Sequence, residues 1–256
     1  MTGLLENKVA IVTGAGAGIG ATIARAFGAE GARVVVADIN SDAAKSVSST
    51  IPGSIAVTAD VSDEQQVKDL VARTVSEFGA LHVVVPNAGI AMTAPLTETS
   101  FADWRKVMSV NLDGVFLTIH HALPAMLASG GGSIVTISSI SSTAGSALIG
   151  SYAAAKAAVR NLTETISAEY RFHNIRANAL LPGFIHTDMV KSAQSNFEEA
   201  LGLEEGGFDD LIAAKQTRYG RTEEVAAAAV FFASDQSSWC NGSSLILDGG
   251  FRASLL

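Results

Sequence analysis

Ser139, Tyr152 and Lys156 are the residues whose types and spacing could do chemistry together. Tyr152 and Lys156 stand four apart in an alanine-rich stretch that reads as a helix opening near Gly150 or Ser151. Both therefore point to one helical face, one turn from each other. Ser139 follows an apolar run, Ile134 to Ile137, at the end of a strand whose loop leads into that helix. A hydroxyl, a phenol and an ammonium can thus converge on one small volume, a grouping suited to moving a proton to and from an oxygen atom. Free Tyr titrates near ~10 and Lys near ~10.4, so neither is poised for neutral pH alone. A fixed positive charge at ~4 Å, at an effective dielectric of ~20, favours the phenolate by about 4 kcal/mol. That would lower the phenol pKa by roughly three pH units before desolvation opposes it. Tyr and Lys at this spacing are common on ordinary helices, so the assignment leans on what surrounds them.

What surrounds them is a regular alternation of strands and helices. Lys8 to Thr13 is a short, β-branched, almost wholly apolar run, as a buried parallel strand should be. It breaks into glycines, then a helical pattern (ATIARAFGAEG), then a second strand, Arg33 to Ala37, ending at Asp38. Further strands are expected at Ile55 to Ala59, Leu81 to Val85, Gly132 to Ile137, Asn174 to Leu181 and Ser244 to Leu247. Helices are expected at Asp63 to Phe78, at Ser100 to Ala128 with Asn111 near the middle, and at Glu223 to Ser234. The pattern predicts an α/β fold: a single Rossmann-like, doubly wound parallel sheet of about seven strands with helices on both faces. No linker-like break or solenoid repeat interrupts it, so residues 1–256 read as one domain.

Strand, glycine loop, helix, strand and acidic residue is an arrangement that binds a dinucleotide. Glycines let the backbone approach a pyrophosphate, whose charge meets amide N–H groups at the helix N-terminus. Asp38 would accept hydrogen bonds from the adenosine ribose. The glycine spacing is Gly14-x-x-x-Gly18-Ile19-Gly20 after Thr13. This loop resembles the cofactor loop of the short-chain dehydrogenase/reductase superfamily. The resemblance extends through Asp60-Val61, Asn87-Ala88-Gly89, Asn111 within VNLDGVF, Ser139, Tyr152-x-x-x-Lys156 and Asn178. It continues in Pro182-Gly183-x-Ile185-x-Thr187 and Asp248-Gly249-Gly250, so it covers nearly the whole chain. Pro86, Ala155 and Ala177 depart from residues frequent in the family, and none of them removes a catalytic group.

The resemblance implies a catalytic tetrad of Asn111, Ser139, Tyr152 and Lys156. Tyr152 would give or take the substrate oxygen's proton, and Ser139 would hydrogen-bond that oxygen. Lys156 would hold the nicotinamide ribose and depress the Tyr152 pKa, helped by the positive ring of NAD⁺. Asn111 would tether a water in a relay from Lys156 to solvent. Asp60 and Val61 would flank the adenine, and Asn87, Ala88 and Gly89 would support the adenosine half. Ile185 and Thr187, after Pro182-Gly183, would meet the carboxamide. Asn87 and Asn178 have an equally good structural reading, bonding strand-end backbone. Asp248-Gly249-Gly250 reads better as a turn than as a ligand site.

Cofactor choice rests on Asp38. The 2′-phosphate of NADP would sit where its carboxylate is expected. Two negative charges at ~4 Å and an effective dielectric of ~20 repel by about 4 kcal/mol. Ala15 and Ala17 in the loop and Ile39-Asn40 after the aspartate supply no cation to compensate, and Arg33 should lie at the strand's far end. NAD is the expected cofactor, with NADP disfavoured by Asp38.

Composition excludes other classes. Net charge is −8, which argues against a nucleic-acid partner. The single Cys240 permits no internal disulfide, and the N-terminus lacks the pattern of a signal peptide. No apolar run is long enough to span a membrane, so the cytoplasm is the default location. Adjacent His120 and His121 cannot face one metal together, so no metal is expected. Asn161 and Asn241 open glycosylation sequons that a cytoplasmic protein would not use. At 48% hydrophobic and 16% charged residues, the chain has apolar surface to spare for subunit contacts. The alanine-rich face of Ser151 to Tyr170, beside the Ser100–Ala128 helix, suits a helix bundle between subunits. A homotetramer is expected, with a homodimer as the smaller alternative.

Substrate information concentrates in Asp188 to Tyr219, read as a long insertion that forms an amphipathic lid. Its apolar residues, Met189, Val190, Phe197, Leu201, Leu203, Phe208, Leu211 and Ile212, would face the pocket, and its carboxylates would face water. Ala91, Met92, Ala144, Gly145, Ala147, Leu148 and Ile149 would add an apolar wall. Apart from Lys191, no cation offers itself to an anionic substrate. The expected activity is interconversion of a neutral, fairly apolar secondary alcohol and its ketone. Reduction of 3-oxoacyl groups on an acyl carrier protein would share every catalytic residue, but normally with NADPH and a basic surface near the lid. A non-catalytic dinucleotide-binding regulator is the remaining class.

Overall fold

The computed structural model describes residues 3–253. Its strands are β1 (Val9–Thr13), β2 (Arg33–Asp38), β3 (Ile55–Thr58), β4 (Val83–Val85), β5 (Gly132–Ile137), β6 (Ile175–Pro182) and β7 (Ser244–Leu247). They form one seven-stranded sheet in the order β3-β2-β1-β4-β5-β6-β7, with every neighbouring pair parallel. Chain direction along the sheet reverses between β1 and β4, and the register puts Thr13 beside Ala37 and Val12 beside Val85. The carboxyl ends of β1, β2 and β4 therefore open on one crevice, where open α/β sheets bind their ligands.

Helices cover both faces because the strand residues point alternately to each. Ala10, Val12, Val34 and Val36 pack with Ile23 and Phe27 of α1 (Gly18–Ala29), Ala44 and Val47 of α2 (Ser41–Ser48), and Ala229 of α9 (Thr222–Ala233). Ile11, Val35 and Val84 pack on the other face. Their partners are Leu70 of α3 (Glu64–Phe78), Ile119 of α5 (Gly114–Ala128), and Val159 and Ile166 of α6 (Gly150–Tyr170). All five residues of β1 are buried, as a strand covered on both sides requires. Among the described residues no helix is long and apolar enough to cross a membrane.

Three readings of the sequence change. The short helix α2 was not anticipated; the Asn40 side chain caps it, accepting from the N–H groups of Asp42 and Ala43 at 3.1 Å each. The stretch Ser100 to Ala128 is not one regular helix. It divides into α4 (Phe101–Met108), a π-helical turn over Ser109–Asp113, and α5. Asn111 sits in that turn, fully buried. The insertion after residue 188, left without assigned elements, is built of two helices, α7 (Asp188–Leu201) and α8 (Gly207–Gln216). Strand and helix ends elsewhere move by one or two residues; β4 begins at Val83 rather than Leu81, and β6 runs to Pro182.

Candidate active site

The glycine loop is fixed by close backbone approach. Gly14 has φ +60°, and a Cβ there would lie 2.7 Å from Cα of Ala88. A Cβ on Gly20 would lie 2.3 Å from the Gly14 carbonyl oxygen and 2.4 Å from Asn87 Nδ2. Asn87 Nδ2 donates to the carbonyls of Thr13 (2.9 Å) and Gly14 (3.0 Å), while Thr13 Oγ1 accepts from the N–H groups of Asn87 and Ala88 at 3.1 and 3.2 Å. Asn87 thus ties β4 to the loop; its amide is occupied with backbone. Asn178 does the same between β6 and the segment before β7, donating to Cys240 O (2.8 Å) and accepting from Ser243 N (2.9 Å).

Asp38 ends β2 with its carboxylate turned back to the loop. Oδ2 accepts from Gly16 N at 2.8 Å and Oδ1 from Asn40 N at 2.9 Å. A Cβ on Gly16 would collide with that carboxylate at 2.9 Å, so the residue between the flanking alanines must be glycine. No side chain caps the N-terminus of α1, which leaves its first N–H groups for a ligand.

Tyr152 and Lys156 lie on the first two turns of α6, and a hydrogen-bonded seam holds that helix to the sheet. Ser138 Oγ donates to the Lys156 carbonyl at 2.8 Å, and the hydroxyls of Thr136 and Thr163 pair at 2.8 Å. Lys156 is 2% exposed, and its Nζ donates to the Ile137 carbonyl at 2.8 Å. Burial pulls its pKa from 10.5 down to about 8. The same desolvation raises the Tyr152 phenol above its ordinary value, against a smaller lowering from a side-chain hydrogen bond with Ser139. Lys156 was expected to depress this phenol with help from the positive nicotinamide ring; in the chain by itself Nζ is 5.5 Å from the ring centroid and desolvation sets the direction, upward. Ser139 caps the short turn after β5, its Oγ accepting from Ser141 N (3.2 Å) and Ser141 Oγ (3.0 Å). Asn111 exchanges two 2.8 Å bonds with the backbone of Ile90. Each bond uses one of the amide's two donors or one of its oxygen's two lone pairs, so the side chain is held against Ile90 with capacity left over. A Cβ on Gly89 would lie 3.2 Å from Asn111 Oδ1 and 3.6 Å from Lys156 Nζ, so these three residues meet at one corner.

A cavity of about 960 Å³ joins these parts. Its wall includes Gly14, Gly18, Ile19, Asp38, Ile39, Asp60, Val61, Asn87, Ala88, Gly89, Tyr152, Lys156 and Thr187. Gly20, Asn111, Ser139, Pro182, Gly183 and Ile185 are not part of that wall; Ile185 is 4% exposed within the apolar core. Asp60 Oδ1 accepts from the N–H and hydroxyl of Ser62 at 2.9 and 2.7 Å, which fixes its carboxylate at the rim. The wall also contains the cations Arg25, Lys106 and Lys191, which lie outside the glycine loop, and His186 and Thr222. None of those cations forms an ion pair with Asp38 within 4 Å. Among the described residues no cluster of His, Cys, Asp or Glu could hold a metal ion.

The lid packs differently from its expected pattern. Phe208 and Ile212 are buried; Phe197 stacks on Phe208 and Phe184 meets both edge-on, with ring centroids 5.1–6.4 Å apart, rather than facing the cavity. Met189 does line it. Glu198 is only partly exposed; Oε1 accepts from Gln194 Nε2 (3.1 Å), Gly206 N (3.0 Å) and Phe208 N (3.3 Å), capping α8. Gln216, 2% exposed, staples the lid's end to both backbone groups of Phe184.

A family model described as enoyl-(acyl carrier protein) reductase matches residues 14–252. Over 253 residues the chain is 41% identical to cis-4-hydroxycyclohexanecarboxylate dehydrogenase of Sinomonas cyclohexanicum, covering 96% of this chain and 97% of that protein. Over 259 residues it is 39% identical to cyclohexanol dehydrogenase of Acinetobacter sp. (strain SE19), covering 99% and 98% respectively. The solved structure of levodione reductase superposes with a TM-score of 0.91 at 33% identity, covering 98% of this chain and 99% of that one. With these relatives along its whole length and its glycine loop, Tyr152 and Lys156 on one cavity, the chain belongs to the short-chain dehydrogenase/reductase family.

Proposed function

We propose that this protein is an NAD-dependent oxidoreductase that interconverts a neutral, fairly apolar secondary alcohol and its ketone. One observation carries the reading: a single cavity is bounded at one end by the glycine loop and Asp38 and at the other by Tyr152 and Lys156. The residues fit a nicotinamide dinucleotide. The uncapped N-terminus of α1 suits the pyrophosphate, and the Asp38 carboxylate suits a ribose diol. When bound, the nicotinamide ring accepts or supplies the hydride.

The chain's own residues handle the proton. In oxidation the carbinol carbon loses a hydride and its hydroxyl loses a proton, which Tyr152 takes; in reduction Tyr152 returns it to the carbonyl oxygen. Ser139 hydrogen-bonds the same oxygen and Tyr152. Lys156, buried at the carboxyl end of β5, keeps a positive charge beside the phenol and reaches towards the ribose. Asn111 holds Ile90 and so shapes the corner where Lys156 sits.

Preference for NAD over NADP follows from Asp38, whose carboxylate is held by two backbone N–H groups and paired with no cation. The alicyclic relatives support an alicyclic alcohol as substrate. The description of the family model favours a second reading, reduction of an acyl-carrier-bound substrate. Against it, Glu204, Glu205, Asp209 and Asp210 stand exposed on the lid, where an acidic carrier protein would be repelled. The test is spectrophotometric: follow NAD and NADP reduction with cyclohexanol, and NADH and NADPH oxidation with cyclohexanone and an acetoacetyl thioester. NAD-linked turnover of the alicyclic pair is expected; NADPH-linked turnover of the thioester alone would replace the first reading with the second.

A further inference from the structure

A second cavity, of about 340 Å³, lies beyond Tyr152 between α4, the start of α6 and α7. It adjoins the first at Met189, which lines both. A substrate whose reacting carbon sits at Tyr152 would therefore extend its far end into it. Ala91, Met92 and Ala193 give that space apolar walls suited to a small ring or short chain.

Six polar side chains share the lining, and four are already engaged: Asn196 Nδ2 donates to Thr93 Oγ1, Thr99 Oγ1 to the Pro95 carbonyl, and Ser192 Oγ to the Met189 carbonyl, which leaves Ser151 and Asp103. Ser151 directly precedes Tyr152 and is 4% exposed, yet among the described residues its hydroxyl has no hydrogen-bond partner. That Oγ is open to the cavity, where a ligand or a water can meet it. Asp103 lines the same cavity; Oδ2 accepts from Ser100 Oγ at 2.7 Å, and Oδ1 has no partner among the described residues. The cations of the site, Arg25, Lys106, Lys156 and Lys191, line the first cavity and not this one. The far end of the pocket thus offers a carboxylate acceptor and a hydroxyl, without a positive charge.

We infer that the substrate carries a second hydroxyl at its far end, seated between Ser151 Oγ and Asp103, and so is a small diol rather than a hydroxy acid. This rests on the oxidoreductase reading above. A hydroxyl donates to the Asp103 carboxylate and accepts from Ser151, using both capacities. A carboxylate in its place could not donate, and would meet Asp103 charge to charge without a cation between them. A plain alcohol would make neither bond, and sites built to bond a hydroxyl discriminate against analogues that lack it.

The experiment compares kcat/KM for cyclohexanol, a cyclohexanediol with hydroxyls on opposite ring carbons, and the hydroxycyclohexanecarboxylate of the same shape. The wild-type enzyme should favour the diol over the carboxylate by at least about tenfold. Ser151→Ala should lower the diol-to-cyclohexanol ratio by about fivefold. Asp103→Asn keeps an acceptor for Ser100 and should raise the carboxylate-to-cyclohexanol ratio by about tenfold. Thermal melting checks both variants, and Ser151→Ala decides alone if Asp103→Asn fails to fold. Ratios unchanged in the folded variants, with cyclohexanol still oxidised, overturn the inference and leave the oxidoreductase reading standing. No turnover of any of the three with NAD or NADP overturns that reading and the inference together.

Discussion

The Lys156 ammonium lies 5.5 Å from the ring centroid of Tyr152, one helical turn away, and donates its hydrogen bond to Ile137 rather than to the phenol. The two groups titrate in the reverse of their ordinary order, the phenol raised and the ammonium lowered, both through loss of water. In the isolated chain the pair holds a neutral phenol beside a cation near neutral pH. That is the arrangement of a proton donor.

Tyr152→Phe should therefore lower kcat by about 10²–10⁴-fold, the usual worth of a positioned acid or base, while dinucleotide binding persists. In the wild-type enzyme kcat/KM for alcohol oxidation should climb towards alkaline pH, because the raised phenol must lose its proton before acting as base. Stopped-flow turnover alongside fluorescence titration of NADH separates the two effects. A Phe variant keeping more than a tenth of wild-type kcat removes Tyr152 from the chemistry.

Lys156 also predicts a pH-dependent stability. Its folded pKa, about 8, is below the unfolded value near 10.5, so between these pH values the unfolded chain binds more protons and stability rises with pH. The full penalty stands below about pH 8 and is gone above about 10.5; at ~1.36 kcal/mol per pH unit it amounts to about 3 kcal/mol. Lys156→Met, which titrates nothing, should compare better with wild type at pH 7 than at pH 11 by that order. Urea midpoints of both proteins at the two pH values measure it, and a constant difference would show that burial does not perturb the lysine.

Cofactor choice turns on Asp38. Repulsion of about 4 kcal/mol between its carboxylate and a 2′-phosphate, even halved by screening, gives NAD more than a tenfold advantage in kcat/KM. Asp38→Ala should narrow that gap while weakening NAD itself and loosening the Gly16 N–H. Equal use of both cofactors by the wild type would show that Arg25 or Lys106 reaches the phosphate.

Assembly follows from α5 and α6. Phe116 and Leu127 of α5 are 49% and 40% exposed, and Arg160 on α6 holds a buried Nε with no partner among the described residues. A homotetramer is expected, and sedimentation equilibrium at micromolar concentration checks it; the mass of one chain would rule it out.

Much of this was legible in residue types. Strands buried on both faces read as unbroken apolar runs, so β1, β2 and β5 could be placed within a residue or so. Tyr152 and Lys156 share a face because helical spacing requires it. The π turn holding Asn111 was not legible, since no residue in SVNLD marks the added residue in its backbone ring. Helix α2 had a signal in Asn40, but SDAAKSVS is too short and polar to display periodicity. The lid's carboxylates misled for a tertiary reason. Glu198 has the composition of a solvent-facing residue and instead caps a helix that begins nine positions later, accepting from the N–H groups of Gly206 and Phe208. Ser138, Thr136 and Thr163, which seat α6 on the sheet, look like ordinary strand and helix hydroxyls until the two elements meet.

The three-residue strand β4 lies at the middle of the sheet, between β1 and β5, and both neighbours are distant in sequence. During synthesis Val83, Val84 and Val85 can join β1 early, but their other edge stays open until Gly132–Ile137 has emerged. Parallel pairings closed over long loops form slowly, and an apolar edge left waiting is an invitation to other chains. Nascent chains of this protein therefore pass through a stage in which the glycine loop has emerged and the helix that carries Tyr152 and Lys156 does not yet exist. The yield of folded enzyme should depend on how quickly the second half follows the first, and on chaperones that shield the interval.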